Sequence, residues 1–205
     1  AANKARLRHP QYAEKIHCIY PGSAAVDLAL DDFNPKNIIK LVHCGTLYGT
    51  RNLNLLLKAI TILRDTGRLG CQIEIVNVGE IYCDEREQYI KSGLVKIVPE
   101  QPRQKAISFL DGAIPLLIQH DDIRSEETIP YKTYDYLNSG RIIFGILYSS
   151  ELFDLLHERG HLVANASLDA TIENILSLQN LKTYQIGDFN CWTTRDCGEQ
   201  LLNHV

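Results

Sequence analysis

Compact apolar runs alternate along the chain with segments in which apolar residues recur at helical spacing. The runs that predict strands are 16–20, 37–44, 71–79, 95–99, 113–119, 141–147 and 161–165. The helical spacing predicts helices from Leu53 to Leu63 and over 84–92, 103–113, 131–140, 149–160, 168–178 and 191–204. Runs without polar alternation are typical of strands covered on both faces. The pattern therefore predicts an α/β fold, with a Rossmann-like, mostly parallel sheet and helices on both faces.

Right-handed crossovers bring the carboxyl ends of parallel strands to one edge of the sheet, and ligands bind at that edge. The first candidate loop there is "GTLYGTRN". Its glycines, Gly45 and Gly49, would let the backbone approach a bulky anion, and Arg51 could bind a phosphate. The helix that follows would present free N–H groups to the same anion. The spacing matches neither the dinucleotide-binding glycine motif nor a Walker loop, and a plain strand-to-helix turn explains it equally well.

The second candidate is the segment "SEETIPYKTYD". Lys132 occupies the first turn of a predicted helix, where a cation is unfavourable to the helix dipole, so a role at the ligand edge is plausible for it. Glu127 precedes the helix, and Asp135 lies one turn into it, so both acids could face one pocket at different depths. The alternative is a solvated acidic loop followed by a surface helix.

Other ligand classes have weaker signals. His43 is expected to be a satisfied buried histidine, whereas His120 stands at the carboxyl end of a strand. Four acids could form a hard-metal site: Asp121, Asp122, Glu126 and Glu127. Because their spacing is not that of a regular ligand set, we expect no metal site here.

The net charge of −4 does not suggest a nucleic-acid binder. The six cysteines form no Cys-x-x-Cys pair and are expected to be buried free thiols in a reducing compartment.

The stretch "IPYKTYDYLNSGRIIFGI" resembles the nucleotide-sugar-binding half of the retaining glycosyltransferases with the GT-B fold. In that family a glutamate, seven residues, a second glutamate, a small residue and a glycine precede an apolar strand. The matching positions are Glu127, Asp135 and Gly140. The stretch "VHCGTLYGTRNLNLLLKAI" is similar to the family's glycine-loop segment, with Gly45 at the glycine and Arg51 at a lysine. The stretches "IHCIYPG", "CQIEIVNVG" and "NCWTTRDCGEQLLNHV" match further segments in the correct order.

The resemblance implies a role for each candidate residue. The diphosphate would be held by Gly45, Thr46, Arg51 and, as a weaker candidate, Lys132. Glu127 would contact the sugar and, with Arg51, act in catalysis, while Asp135 would bind the ribose and the loop at 97–102 would contact the base. Thr46 stands where the family often has an arginine. Asp135 replaces a glutamate and is one methylene shorter.

The resemblance covers about residues 16–205 and implies a domain plan. Residues 1–15 would be a remnant of an N-terminal half or a linker, 16–190 a donor-binding domain, and 191–205 a C-terminal helix. We expect the parent protein to be a retaining, metal-independent glycosyltransferase that uses a UDP- or GDP-sugar and no cofactor. The missing half would bind an acceptor sugar or a lipid-linked glycan, so this piece alone should bind the donor and transfer little or nothing.

We expect the protein to be cytoplasmic, at the inner face of a membrane if the missing half attaches it there, because no signal peptide or transmembrane segment is visible. One competing hypothesis is a non-catalytic Rossmann-like module that binds a sugar or a partner protein. A second is a nicotinamide-dependent oxidoreductase domain, which the absent Gly-x-Gly-x-x-Gly motif disfavours.

Overall fold

The computed structural model describes residues 2–28, 38–186 and 191–202. The six strands are β1 (Ile38–Cys44), β2 (Gln72–Val78), β3 (Val95–Val98), β4 (Ile114–Ile118), β5 (Phe144–Leu147) and β6 (Leu162–Asn165). The helices are α1 (Ala2–Arg8), α2 (Asn54–Asp65), α3 (Arg86–Lys91), α4 (Arg103–Ser108), α5 (Lys132–Asn138), α6 (Ser150–His157), α7 (Leu168–Gln179) and α8 (Thr194–Leu202). Short 3₁₀ helices cover Pro10–Lys15 and Ile123–Glu127.

The strands form one parallel sheet in the order β3-β2-β1-β4-β5-β6. β1 pairs with β2 along its whole length, from Ile38 opposite Gln72 to Cys44 opposite Val78. It pairs with β4 only at Leu41 and Val42. The strand order reverses between β1 and β4, so a crevice at the carboxyl ends of these two strands is expected there. The predicted Rossmann-like α/β fold is confirmed.

The sheet separates two apolar cores, and successive residues of β1 serve opposite ones. Leu41 belongs to the core that includes side chains of α2 and α7, and Val42 to the core that includes side chains of α4, α5 and α6. Both residues are fully buried. Because both faces are covered, the strands carry continuous apolar runs instead of alternating polar and apolar positions.

Several predicted elements differ from the structure. Residues 16–20 are not a strand, because the described sheet ends at β3 and β6 and offers this run no partner. The nearby chain contributes only an isolated bridge between Ser23 and Thr193. β5 begins at Phe144 rather than 141, and α4 ends at Ser108 rather than 113. Residues 28–37, whose aspartates, asparagine and proline predict a loop, lie almost entirely outside the described residues.

The cysteines are less buried than expected. Cys83 and Cys197 are buried, Cys44 and Cys71 are half-buried, and Cys18 and Cys191 are exposed. The two half-buried thiols lie at the sheet: Cys44 ends β1, and Cys71 directly precedes β2. The expectation of burial is therefore wrong for Cys18 and Cys191, which lie in the two segments that flank the sheet region.

Asn138, at the end of α5, joins three distant segments. Its amide nitrogen donates to Ser23 Oγ and to the Trp192 carbonyl, at 3.0 Å each, and its Oδ1 accepts from the Trp192 N–H at 2.7 Å. The side chain is completely buried. Removing it would leave buried polar groups without partners, which is costly.

We expect Asn138→Ala to lower the free energy of unfolding by about 1–3 kcal/mol, because Ser23 Oγ and the Trp192 N–H each lose a hydrogen bond inside the protein. Urea denaturation of the parent and the variant measures this difference. Asn165→Ala is the matched control, since Asn165 is exposed at the end of β6. Equal stability of the parent and Asn138→Ala would contradict the structural role of this residue.

Candidate functional site

The loops that follow β1 and β4 meet at the reversal of strand order. Thr50 Oγ1 lies 3.3 Å from His120 Nδ1 and accepts a hydrogen bond from the Asp121 N–H at 3.1 Å. The rings of Tyr48 and His120 pack edge to face, with centroids 4.6 Å apart. The structure therefore brings the glycine loop and the loop after β4 together at one edge of the sheet.

Two glycines make a close backbone approach beneath these loops. Gly45, with φ of +128°, donates from its N–H to the Val78 carbonyl at 2.7 Å. A Cβ on Gly79, whose φ is +140°, would lie 2.6 Å from the Gly45 carbonyl oxygen. A Cβ on Gly45 would lie 2.7 Å from Lys132 Nζ. The absence of side chains at both positions lets the lysine and the loop backbone occupy the same small volume.

Lys132 extends from α5 to the end of β1. Its Nζ lies 2.9 Å from His43 Nε2, and His43 Nδ1 lies 2.7 Å from Asn77 Oδ1. The Asn77 amide nitrogen donates to the Gly79 carbonyl at 2.7 Å, which turns Oδ1 towards the imidazole. His43 Nδ1 therefore carries the proton and donates to Asn77, so that Nε2 accepts from Lys132.

The surroundings of this pair are cationic. Burial, followed by the nearby charge of Arg51, lowers the pKa of Lys132 to about 7, and the Cys44 thiol has a smaller opposite effect. Burial and then Lys132 lower the pKa of His43 well below its ordinary value, so the imidazole is neutral at pH 7. Across the described part of the chain, the Lys132 ammonium hydrogen-bonds to no carboxylate. An anion is the group that would complement this arrangement.

Arg51, on the loop after β1, is the second cation near Lys132. Its guanidinium carbon lies 5.4 Å from the centroid of the Tyr48 ring, a cation–π contact. Its Nε is buried and finds no hydrogen-bond partner within residues 2–28, 38–186 and 191–202. Buried donors in proteins are nearly always paired, so an unpaired one beside a second cation indicates a place for an acceptor.

Thr46 follows Gly45 on the glycine loop that leads to Arg51, and it is half-buried. Among the described residues, neither its N–H nor its hydroxyl forms a hydrogen bond with the protein. Both donors of Thr46 are therefore available to an anion next to Gly45.

Glu127 ends the 3₁₀ helix between β4 and α5. Gln119 fixes this loop: its Nε2 donates to the Thr128 carbonyl at 3.0 Å, and its Oε1 accepts from the N–H groups of Tyr148 and Ser149 at 3.0 and 2.9 Å. The backbone at Glu127 is thereby held at the ligand edge. The role predicted for its side chain lies outside the described atoms and stays a prediction.

Asp135 faces an arginine on the neighbouring helix. Its Oδ1 accepts from Arg103 Nε at 3.2 Å and from Arg103 Nη2 at 2.6 Å, and the same Nη2 donates to the Ala24 carbonyl at 2.8 Å. The side chain of Asp135 is only 13% exposed. Its second oxygen makes no hydrogen bond in the parts of the chain that are described. One carboxylate oxygen therefore fixes the side chain, and the other is available to a hydroxyl group.

The helix that follows the glycine loop does not offer all its amides to an anion. The Leu53 N–H donates to the Tyr89 hydroxyl at 3.3 Å, and the Asn54 N–H donates to Asn52 Oδ1 at 3.0 Å. The Tyr89 hydroxyl in turn donates to Asn54 Oδ1 at 2.6 Å. The expectation of free N–H groups at this helix start is wrong for these two amides, because side chains already accept from them.

Sequence reasoning missed several residues that build the site. His43 is the satisfied buried histidine that was expected, yet its partner Lys132 was not foreseen. Asn77, Gln119 and Arg103 were also missed. For the first two, one signal was available: a polar residue that follows an apolar run near the carboxyl end of a strand. No grouping of three or more metal-binding side chains occurs in the described residues, so the alternative metal site gains no support from the geometry.

Comparison with known proteins gives matches in structure but not in sequence. No protein-family model and no curated sequence matches the chain. The pneumococcal O-GlcNAc transferase GtfA, solved with UDP and GlcNAc, matches with a TM-score of 0.62 at 15% identity, over 99% of this chain and 43% of that one. S. aureus TarM, solved as a variant with fondaparinux, α-GlcNAc-glycerol and UDP, matches with a TM-score of 0.56 at 14% identity, over 92% of this chain and 39% of that one.

This chain has the fold of one half of a GT-B glycosyltransferase. It spans about two fifths of the length of the GtfA and TarM chains that it matches. At this level of sequence identity the likeness concerns the fold of the GT-B half-domain and assigns no role to a residue. Among the described residues, no helix is long and apolar enough to cross a membrane.

We expect Gly79→Ala to lower the free energy of unfolding by more than about 2 kcal/mol, because the new methyl group would meet the Gly45 backbone in addition to the strain of a positive φ. Gly49→Ala is the matched control: Gly49 also has a positive φ, but open space surrounds its Cα, and a cost of about 1 kcal/mol is expected. Urea denaturation measures both. A smaller loss for Gly79→Ala than for Gly49→Ala would contradict the close approach.

The lowered pKa of Lys132 predicts how stability depends on pH. The unfolded chain keeps the lysine proton up to about pH 10.5, whereas the folded chain loses it near pH 7, so this residue makes stability rise with pH across that window. The free energy of unfolding of the parent, relative to Lys132→Met, should therefore increase between pH 7 and pH 9, by up to about 1.4 kcal/mol per pH unit.

Denaturant titrations at several pH values test this dependence. Lys58→Met provides the control, because Lys58 is exposed on α2 and its removal should change stability without this pH dependence. A difference between the parent and Lys132→Met that does not vary with pH would show that Lys132 keeps its proton in the folded protein.

Proposed function

We propose that this chain is the donor-binding domain of a retaining, metal-independent glycosyltransferase and binds a nucleoside diphosphate sugar such as a UDP- or GDP-sugar. The observation that carries the proposal lies at the reversal of strand order: the Lys132 amino group lies against Gly45, and the buried Nε of Arg51, on the loop after the same strand, has no hydrogen-bond partner among the described residues. A diphosphate supplies the negative charge that these two residues lack, and the carboxyl edge of a parallel sheet is the usual place for such a ligand.

The diphosphate is bound in this proposal by the loop after β1 and by α5. Gly45 lets the backbone come close, and Thr46 offers its N–H and hydroxyl. The unpaired Nε of Arg51 and the Lys132 ammonium would donate charge-assisted hydrogen bonds to phosphate oxygens. These donors occupy fixed positions before the ligand arrives, as stabilisation of a developing negative charge requires.

The reaction in this proposal is loss of the nucleoside diphosphate from a sugar that becomes oxocarbenium-like. Negative charge develops on the departing diphosphate, and the same cations stabilise it more strongly in the transition state than in the bound donor. Arg51 therefore acts in catalysis as well as in binding. The retaining outcome and the independence from metal rest on the resemblance of "IPYKTYDYLNSGRIIFGI" and "VHCGTLYGTRNLNLLLKAI" to the family segments.

The two acids have separate roles in this proposal. Glu127 contacts the sugar from the loop that Gln119 holds at the ligand edge. Asp135 binds a ribose hydroxyl through the carboxylate oxygen that Arg103 leaves open. The base contacts the loop over 97–102, in which the Gln101 side chain already donates to the Pro99 carbonyl at 3.0 Å.

The ligands in the two similar solved structures belong to the class proposed for this chain. The GtfA and TarM structures contain UDP, together with GlcNAc in one and α-GlcNAc-glycerol in the other. By analogy, the acceptor would be a sugar or a lipid-linked glycan bound with a second domain, and the chain described by itself would bind donor with little or no transfer. We further propose that the parent enzyme works in the cytoplasm, at the inner face of a membrane if its second domain attaches it there.

Binding titrations with UDP and with GDP, in the presence of EDTA, test the proposal. We expect one of the two nucleotides to bind, and Arg51→Ala to weaken it by about 1.5–3 kcal/mol while the affinity for the corresponding nucleoside stays the same. Arg68→Ala serves as the matched control, because Arg68 is exposed between α2 and β2, at the opposite edge of the sheet.

Two outcomes would contradict this proposal. Binding that appears only with Mg²⁺ or Mn²⁺ would overturn the independence from metal. An equal loss of nucleotide and nucleoside affinity in Arg51→Ala, at unchanged folding by circular dichroism, would mean that Arg51 does not bind the phosphates.

A further inference from the structure

His43, which accepts the hydrogen bond from the Lys132 amino group, lies on the central strand β1. His43 and Asn77 are direct partners in the parallel pairing of β1 and β2. Both side chains are completely buried, and their hydrogen bond of 2.7 Å fixes the imidazole. Strand positions in the middle of a sheet are among the most rigid in a protein. The Nε2 atom of His43 is therefore a fixed point, and it places Lys132 Nζ beneath Gly45, at the base of the glycine loop.

The charges around this lysine come from three elements. Arg51, on the loop after β1, disfavours a second positive charge. Cys44, at the end of β1, is a thiol whose pKa burial raises to about 11, so it is neutral near pH 7. Asp135, on α5 itself, pairs with Arg103, and Tyr136, also on α5, accepts from the Cys44 N–H at 2.8 Å. Within the described residues, the surroundings thus provide a second cation and no partner carboxylate for the amino group.

A bound diphosphate would change this balance. Its oxygens would bring negative charge next to Lys132 and Arg51 and would accept a hydrogen bond from Nζ. The protonated form of the lysine then becomes the favoured one. The proton comes from the solvent and is bound to the Lys132 nitrogen, and no other bond forms or breaks.

We propose that His43, fixed by Asn77, is the positioning residue for Lys132, and that Lys132 takes up one proton from solvent when the diphosphate of a donor binds. This inference rests on the proposed function and adds a regulation of the same site by pH. Affinity for the diphosphate falls as the pH rises above neutrality, because the free site must then acquire a proton before it binds.

Isothermal titration calorimetry of the 205-residue chain measures the proton directly. The probe is UDP or GDP, whichever binds, at pH 8.0 with EDTA, in HEPES and in Tris, since the two buffers release different heat for each proton that they lose. We expect uptake of between about half and one proton per nucleotide, and affinity that falls by up to about tenfold per pH unit above pH 7. At pH 8.0 the phosphate groups of the nucleotide are almost fully ionised and contribute little to the proton uptake.

Lys132→Arg separates the lysine from other sources of protons. Arginine stays charged in proteins, so this variant should bind the nucleotide with almost no proton uptake and with an affinity that changes little between pH 7 and pH 9. Uptake in Lys132→Arg equal to that of the parent would overturn the assignment to Lys132.

Variants of the acceptor test the positioning role. His43→Leu removes the acceptor and should weaken nucleotide binding about tenfold or more, whereas His43→Gln keeps an acceptor and should recover most of the affinity. Asn77→Ala provides an independent test if His43→Leu does not fold, because it retains the imidazole but frees it to turn, and it should also weaken binding and change the pH profile. Folded variants with the affinity and pH profile of the parent would overturn the role of His43.

The measurements of binding and of proton uptake distinguish a failure of this inference from a failure of the proposed function. Nucleotide binding by the parent without proton uptake overturns this inference and leaves the proposed function in place. No binding of UDP or GDP at any pH between 6 and 9 overturns the proposed function and this inference with it.

Discussion

The reversal of strand order between β1 and β4 is the constraint on which the site depends. β1 is followed by α2 and β4 by α5, and side chains of these two helices lie in different cores, on opposite faces of the sheet. The chain therefore leaves the two strands in opposite directions, and their pairing is short. The features of the site lie around this reversal: the glycine loop follows β1, Gln119 follows β4 and holds the neighbouring loops, and Lys132 reaches the end of β1 from α5.

Burying the Lys132 amino group beside a second cation costs the folded chain stability. A buried lysine is normally paired with a carboxylate, and here its partner is a neutral imidazole. Replacing His43 by an acid would stabilise the ammonium but would also cancel the charge that an anionic ligand needs. Functional sites commonly keep such locally unfavourable arrangements because the ligand provides the compensating interaction.

The fold could be predicted from the sequence more completely than the site could. Continuous apolar runs identify parallel strands because both faces are buried, but the run at 16–20 has the same composition and lacks a neighbouring strand, which no local pattern reveals. The parallel order also indicated which loops meet, and so placed Gly45 and Lys132 at one edge. The contacts of the site depend instead on register and helix packing: His43 meets Asn77 because of the β1–β2 pairing, and Arg103 meets Asp135 across two helices.

Asn138 anchors the C-terminal end of α5. Lys132 begins this helix and Asn138 ends it. About 10 Å of helix therefore separates the residue that bonds to His43 from the residue that bonds to Ser23 and Trp192. Because Ser23 and Trp192 also bond to each other through their backbones, these two segments and the end of α5 form one hydrogen-bonded unit. The position of the Lys132 amino group is therefore set from both ends of its helix, by His43 at the start and by Asn138 at the end.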